Sequence, residues 1–333
     1  KMLSACGEIP YGGRSNQFLH NHTFYAALCE WYAARYAARG ETARARAFKA
    51  AAKRATDALG PWLEKTPLSH VKNGYPREEG KGVYSQKADM GCERYAYFDK
   101  YMITMGSWAM SALVFSADCA EKPDAALDER PSVFVTSPEF HWVFLAAGPY
   151  SAQFDWDANV QYDSSGLGRI HRRGAPPTIC LSTPCARHPH YRREIEDGPD
   201  LAILPVAPEG TPLRLRKRFA DARTAHAEWA MGSLKWECAL SADGFVSTLR
   251  GSGAVALALP AFESDGATAT QVACDGKALS VTYGGWTCRY EAEDGAIVAT
   301  DVRTANRNGV YRRYEARGEK SLTVRITIGK AEK

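Results

Sequence analysis

The spacing of apolar residues changes near Asp118 and divides the chain into two parts. Before that point apolar residues recur every three or four positions, which is the period of an amphipathic helix. The pattern predicts a first helix that begins near Gln17 and is closed by Gly40, a second over residues 41–63 and a third over about residues 93–116. Two or three helices cannot close a compact domain beside so large a second part, so we expect them to be the end of a larger helical array.

From Arg130 onward, short runs alternate between apolar and polar residues, as strands with one buried face do. The predicted strands are residues 132–136, 140–145, 202–204, 213–219, 254–259, 286–290 and 322–328. Asp-Gly or Asn-Gly pairs, which are typical of hairpin turns, lie at 243–244, 275–276, 294–295 and 308–309. We therefore predict an α+β multidomain protein in which helical hairpins precede a large antiparallel β-sandwich.

The boundary between the two parts is a short segment with two prolines and several acidic residues, as an exposed domain linker has. The predicted organisation is a helical part over residues 1–119, a linker over residues 120–131 and a β-sandwich domain over residues 132–333.

Composition and charge exclude some partners. With 45% hydrophobic and 24% charged residues, the 333-residue chain is ordinary for a globular protein. Its formal net charge of +4 is small, so no nucleic-acid partner is indicated, and residues 214–218 are expected to be the solvated face of a strand. No run approaches the roughly 18 apolar residues of a membrane span, so no membrane partner is expected. A homo-oligomer is left open.

The nine cysteines lie singly, without a Cys-x-x-Cys pair or a Cys/His ligand cluster. They indicate reduced thiols in a cytoplasmic protein, and no metal or cofactor is expected. A first residue, Lys1, that is not methionine is consistent with a fragment. If an N-terminal segment is missing, a periplasmic or secreted location becomes the expectation.

The densest group of candidate functional residues lies in residues 7–22, where a glycine- and proline-rich loop leads into the first helix. Backbone N–H groups at the helix start, together with Arg14, would suit an anion such as a carboxylate. Glu8, Asn16 and His20 add an acid, an amide and an imidazole. The alternative is a capped helix entry with surface charge.

Two later segments carry further candidates. His171 is framed by Arg169, Arg172 and Arg173, which favours a functional histidine over a structural one. In residues 93–102, Glu93 and Tyr97 share a helix face, and Asp99 follows. That face could equally be an aromatic stripe in the core, and Asp99 a solvated charge. Tyr84, in the loop before this helix, is a candidate substrate-binding residue.

The order of elements, together with residues 7–22, 95–102 and 162–177, resembles carbohydrate-active enzymes that have an (α/α) toroid followed by a β-sandwich. Heparinase II/III-like lyases and the β-glucuronidases of glycoside hydrolase family 154 are examples. The resemblance implies an oligosaccharide or polysaccharide substrate that contains uronic acid. Such toroids usually have about twice as many helices as this chain predicts, so the resemblance implies a chain truncated at its N-terminus.

Two reactions on a uronate agree with the candidate residues. A lyase neutralises the carboxylate and moves a proton with Tyr or His, for which Arg14, Asn16, His20, Tyr97 and His171 are the right types. An inverting hydrolase needs two carboxyl groups roughly 6.5–9.5 Å apart, for which Glu8, Glu93 and Asp99 are the candidates.

We expect hydrolysis of a terminal β-glucuronide, because Glu8 lies in the same loop as Arg14, with Arg169 as a further substrate-binding group. A non-catalytic carbohydrate-binding protein, with Trp142, Trp156 and Trp286 as stacking platforms, is the third hypothesis. For the enzyme we predict that the loop and the β-domain share one site, with Arg14 and His171 within about 25 Å of each other.

Overall fold

The N-terminal part of the computed structural model is helical. The residues described here are 2–12, 18–60, 99–124, 129–187, 200–265, 268–306 and 308–332. Within them the helices are α1 (Phe18–Ala37), α2 (Thr42–Asp57) and α3 (Asp99–Ala117). Gly40 has φ 73° and closes α1, as predicted. The predicted extensions over residues 61–63 and 93–98 lie outside the described residues.

The three helices pack together through small apolar residues and one buried ion pair. Helix α1 contacts both α2 and α3. The ammonium of Lys49 lies 2.8 Å from a carboxylate oxygen of Glu30 and donates to the hydroxyl of Ser116 at 2.8 Å. None of the helices described is both long and apolar enough to cross a membrane.

The rest of the described chain is built of strands that pair in antiparallel order. They are β1 (Ser132–Val135), β2 (Trp142–Ala147), β3 (Tyr150–Asp155), β4 (Gly166–Arg172), β5 (Leu204–Pro205), β6 (Leu213–Ala220), β7 (Thr224–Met231), β8 (Leu234–Ser241), β9 (Gly244–Arg250), β10 (Val255–Ser264), β11 (Gln271–Cys274), β12 (Ala278–Tyr283), β13 (Trp286–Ala292), β14 (Ala296–Ala305), β15 (Val310–Gly318) and β16 (Ser321–Lys330). The chain is therefore a sheet-rich α+β fold.

Within the described residues the strands form three sheets. One sheet has the order β11-β12-β13-β16-β9-β8-β7-β6, a second has β1-β2-β3-β4 and a third has β14-β15-β10-β5. A single hydrophobic core joins all three. In it the ring of Phe154, on β3, lies 5.1 Å from that of Trp229 and 5.7 Å from that of Trp236. Burial of each of these side chains stabilises the fold by roughly 1.5–3 kcal/mol.

The structure confirms the sheet-rich second half and the turns predicted within it. Gly244, Gly276, Gly295 and Gly309 all have positive φ and lie at or beside connections between consecutive strands. The (α/α) toroid is not shown by the described helices and stays a prediction.

Nine of the described strands were not predicted: β3, β4, β7, β8, β9, β11, β12, β14 and β15. All six residues of β3 are buried, as are the first six of β4. The sequence of β3 nevertheless alternates: its apolar residues Tyr150, Ala152 and Phe154 lie in the core, and its polar residues Ser151, Gln153 and Asp155 lie between them in the sequence. Part of the cover of β3 and β4 is the N-terminal segment, residues 4–12.

Candidate functional site

The N-terminal segment, residues 4–12, is bound to β3 and β4 by hydrogen bonds. The backbone N–H of Ala5 donates to the Ser151 hydroxyl at 2.7 Å. The amide of Gln153 donates to the carbonyl of Tyr11 at 2.9 Å, and the Arg169 guanidinium donates to the carbonyl of Ile9 at 2.7 Å. The first half of the predicted site loop therefore meets the β-domain.

Five buried polar side chains form a group that we call the junction cluster: Ser4, Glu8, Arg169, His171 and Ser182. Oε2 of Glu8 accepts a hydrogen bond from the Ser182 hydroxyl at 2.8 Å. The same oxygen lies 3.2 Å from Nη2 of Arg169 and 3.8 Å from Nε2 of His171. Three of the residues chosen from the sequence, Glu8, Arg169 and His171, thus lie together.

Burial dominates the electrostatics of the junction cluster. Burial raises the pKa of Glu8, and the charge of Arg169 and the Ser182 hydrogen bond oppose that rise. Burial and the Arg169 charge hold the pKa of His171 well below its usual range, so its imidazole is neutral at pH 7. Arg169 keeps a lowered pKa for the same reason, with Glu8 acting against it.

The Ser4 hydroxyl connects the Glu8 backbone to the imidazole of His171. The Ser4 hydroxyl oxygen accepts from the Glu8 backbone N–H at 3.1 Å and lies 2.9 Å from Nδ1 of His171. If the Ser4 hydroxyl donates its proton to Nδ1, the imidazole proton is on Nε2 and faces the Glu8 carboxylate. Within the described part of the chain, Nε2 of His171 and Oε1 of Glu8 are buried without a hydrogen-bond partner.

The junction cluster is enclosed. Glu8 is 1% exposed, and the cavity beside the cluster, lined by Ser4, Gln153, Arg169 and others, has a volume of about 10 Å³. A space of that size holds about one water molecule and no sugar ring. In the described structure this cluster therefore anchors the N-terminal segment, and the catalytic roles of Glu8 and His171 and the substrate role of Arg169 stay predictions.

His20, the fourth described candidate, lies near the start of α1 and is not part of the junction cluster. Its Nδ1 is 3.5 Å from the side-chain oxygen of Asn21. His22, to which the sequence assigned no role, is fully buried, and its Nε2 accepts the Ile9 backbone N–H at 3.2 Å. The sequence held no signal that distinguished the two.

The remaining candidates lie outside the described residues: they are Arg14, Asn16, Tyr84, Glu93 and Tyr97. Asp99 begins α3, but its side chain lies outside the description.

A second cluster lies where β2 begins; the sequence analysis named its two tryptophans as stacking platforms but missed its histidine and its aspartate. We call it the His141 cluster: Phe140, His141, Trp142, Asp155 and Trp156. Nδ1 of His141 is 2.6 Å from Oδ1 of Asp155, and the Trp142 indole N–H donates to Oδ2 of Asp155 at 3.1 Å. Asp155 is 1% exposed, whereas a quarter of the His141 side chain is accessible. A buried carboxylate thus holds a partly exposed histidine.

The backbone of His141 is strained. Its φ is 45°, and in the described part of the chain it is the one residue other than glycine that has a positive φ. Strain of this kind costs on the order of 1–3 kcal/mol and is concentrated at binding and catalytic positions. The strain is therefore an independent reason to consider His141 functional.

Burial also raises the pKa of Asp155, while the Asp157 N–H and His141 act in the opposite direction. Because Asp155 binds Nδ1, the other ring nitrogen of His141, Nε2, is the one available to a bound molecule. A carboxylate that fixes one nitrogen of an imidazole orients the ring for proton transfer at the other.

Aromatic rings surround His141. The ring centroids of Trp142 and Trp156 lie 6.5 Å and 6.4 Å from that of His141, and Phe140 lies 5.8 Å from Trp142. Phe140 is 56% exposed. Such rings can stack on the apolar face of a sugar.

Gly12 connects this cluster to the loop that carries Arg14 and Asn16. A Cβ atom on Gly12 would lie 2.2 Å from Cζ2 of Trp142, so only glycine lets the backbone pass the indole. Arg14 and Asn16 follow Gly12 in the sequence and lie outside the described residues.

No protein-family model matches this sequence, and no curated protein matches it. Among solved structures, a heparinase III gene product aligns with 97% of this chain and 53% of its own, at 10% identity and a TM-score of 0.41. A 4-alpha-glucanotransferase from Thermococcus litoralis aligns with 93% of this chain and 50% of its own, at 11% identity and a TM-score of 0.44.

The periplasmic domain of Thermotoga maritima YidC aligns with 60% of this chain and 87% of its own, at 9% identity and a TM-score of 0.35. The chain thus spans about half the length of the first two structures. At these TM-scores the similarity establishes neither a family nor an activity.

Proposed function

We propose that the chain is a carbohydrate-active enzyme, or part of one, that acts on glycans containing uronic acid. The observation that carries this proposal is the His141 cluster, in which a buried aspartate orients a partly exposed, strained histidine among aromatic rings. The aromatic rings provide a surface on which a sugar stacks, and the oriented imidazole provides a group that can take or give a proton.

The uronate carboxylate is assigned to the loop after Gly12. Arg14 and Asn16 carry the charge and the amide that recognise a carboxylate, and they follow Gly12, which packs against Trp142, by two and four residues in the sequence. The charged group of the sugar would then be held by the loop while its apolar face stacks on the aromatic rings.

Of the two candidate reactions, β-elimination is supported better by the described residues. Nε2 of His141 removes the proton from C5 of the uronate, and that electron pair forms the C4–C5 double bond. The C4–O bond breaks, and the leaving oxygen takes a proton from a general acid, for which Tyr97 is the candidate from the sequence. Neutralisation of the carboxylate by Arg14 or Asn16 lowers the barrier to removal of the C5 proton.

Hydrolysis of a terminal β-glucuronide remains the second candidate, because the loop still carries Glu8. In the described structure the Glu8 carboxylate is committed to Arg169 and Ser182, so hydrolysis would need Glu93 and Asp99 as its pair of carboxyl groups.

The two reactions leave different products, and this difference is the test. We expect the protein, incubated with a panel of uronic polysaccharides and their oligosaccharides, to produce new ultraviolet absorbance from a double bond conjugated to the carboxylate. Release of saturated free uronate without that absorbance would support hydrolysis. The absence of both products from every substrate would contradict the proposal and favour a carbohydrate-binding protein.

A further inference from the structure

One strand and the turn that follows it carry an excess of basic residues. Residues 214–223 contain five basic residues and one acidic residue, an excess of four that equals the formal net charge of the whole chain. We name Arg214, Arg216, Lys217, Arg218, Phe219 and Arg223 the β6 strip. The formal charges of all the other residues therefore sum to zero.

The β6 strip is accessible. Strand β6 is at one end of the strand order of its sheet, and all eight residues from Arg216 to Arg223 are exposed. The pairing of β6 with β7 shifts register between Leu215 and Lys217, so Arg216 is an extra residue in the strand. This bulge places basic residues on more than one side of the strand.

Acidic neighbours neutralise little of this charge. Lys217 lies 3.5 Å from Glu228 on β7. Asp221 accepts the backbone N–H groups of Arg223 and Thr224 and faces His226, so it shapes the turn. Arg214, Arg216 and Arg218 form no ion pair with the described residues.

An exposed aromatic ring lies within this charged surface. Phe219 is 37% exposed, its ring stacks on His226 at a centroid distance of 4.3 Å, and Nζ of Lys217 lies 4.6 Å from its centroid. One or two lysines are enough to protect an edge strand from aggregation. Five basic residues on this strand and turn, together with one exposed ring, exceed that need and match a chain of sugars that carry carboxylates.

We propose that the β6 strip is an accessory binding surface for an anionic polysaccharide, separate from the His141 cluster. The inference rests on the proposed function, because the polymer bound would be the substrate or its continuation. Strand β1 packs against β6, and the end of β1 pairs with Val143, two residues after His141. Strand β1 therefore connects the two regions. A long polysaccharide would contact both regions, whereas a short oligosaccharide would reach only one.

The test compares two triple variants that remove the same charge. R214Q/R216Q/R218Q alters the strip. R250Q/R289Q/R325Q alters three arginines on other strands of the same sheet, each about half exposed and paired with a glutamate. Binding of polygalacturonate and of alginate is measured across a salt series, with neutral dextran as a blank. Turnover of short uronate oligosaccharides is measured in parallel.

The strip variant is expected to lose on the order of tenfold to a hundredfold in polymer affinity and to show a weaker salt dependence, while the control variant stays within about threefold. Equal losses in both variants, or none in either, would overturn the inference. Competition by duplex DNA as strong as by the polyuronates would overturn it in favour of a nucleic-acid surface. If the unmodified protein turns over no substrate but binds polyuronate through the strip, the proposed function fails and the binding surface stands.

Discussion

At the scale of single residues, the junction cluster is an internal ion pair that the fold must keep satisfied. Glu8 and Arg169 are both buried, and each shifts the pKa of the other towards its ionised form. Removing one partner of such a pair typically costs about 3–5 kcal/mol, because the other charge is left unpaired. Glu8 is therefore expected to matter first for stability.

His171 makes stability depend on pH. Its pKa in the folded protein is well below 6.5, whereas in the unfolded chain it is about 6.5. Below pH 6.5 the unfolded chain therefore binds more protons than the folded protein. The contribution of His171 to stability is complete above pH 6.5 and is lost as the pH falls below it. We expect the free energy of unfolding to fall between pH 7 and 5, with a slope of up to about 1.4 kcal/mol per pH unit from this group.

Urea unfolding at a series of pH values checks this prediction. The slope should flatten in His171→Gln and persist in His226→Gln, where the replaced histidine is partly exposed and faces Asp221. An unchanged slope in His171→Gln would show that another group causes the pH dependence.

The sequence predicted the residues of the junction cluster better than those of the His141 cluster. Glu8, Arg169 and His171 stand in charged, glycine-rich segments, and the fold brings their side chains together. His141 and Asp155 stand alone in the sequence, and only the antiparallel register of β2 with β3, which pairs Trp142 with Asp155, brings them into contact. A positive φ at a histidine has no signature in the sequence at all.

At the scale of elements, close approach of the N-terminal segment to β4 requires a glycine. A Cβ atom on Gly168 would lie 2.3 Å from the hydroxyl and 2.6 Å from Cζ of the buried Tyr11. Gly168→Ala is therefore expected to destabilise the protein by about 1–3 kcal/mol and to loosen residues 4–12.

Thermal unfolding and limited proteolysis of the N-terminal segment measure that effect. Gly253→Ala is the matched control, because nothing lies within 4 Å of its added Cβ atom and no positive φ is recorded there. Equal stability of the two variants would show that the segment does not pack on β4 as described.

The elements that the sequence predicted well are those with a clear period or a turn signal. Helix α1, closed by Gly40, and the hairpin turns at Asp-Gly pairs are examples. A clear period was not always recognised, because β3 alternates between apolar and polar residues and β7 alternates in burial, yet neither strand was predicted. The polar residues of β3 are buried and bind the N-terminal segment and His141. The sequence does not show that such a polar face is covered, so the site that it carries was missed.

At the scale of the whole molecule, β3 connects the two clusters. Gln153 holds the N-terminal segment through Tyr11, and two residues later Asp155 holds His141. The junction cluster fixes the path of the loop, and Gly12 then carries the loop past Trp142. The junction cluster is therefore expected to be structural support for the reaction that we propose at the His141 cluster.

Turnover by His141→Gln and Glu8→Gln tests that division of roles most directly. Both are assayed on the uronate substrate that the unmodified protein turns over, at a temperature where each variant is folded. We predict that His141→Gln lowers kcat on the order of a hundredfold or more with little change in KM. Glu8→Gln should lower the unfolding free energy while keeping kcat within a few-fold. A hundredfold loss of kcat in folded Glu8→Gln, with His141→Gln fully active, would contradict the account and place catalysis at the junction cluster.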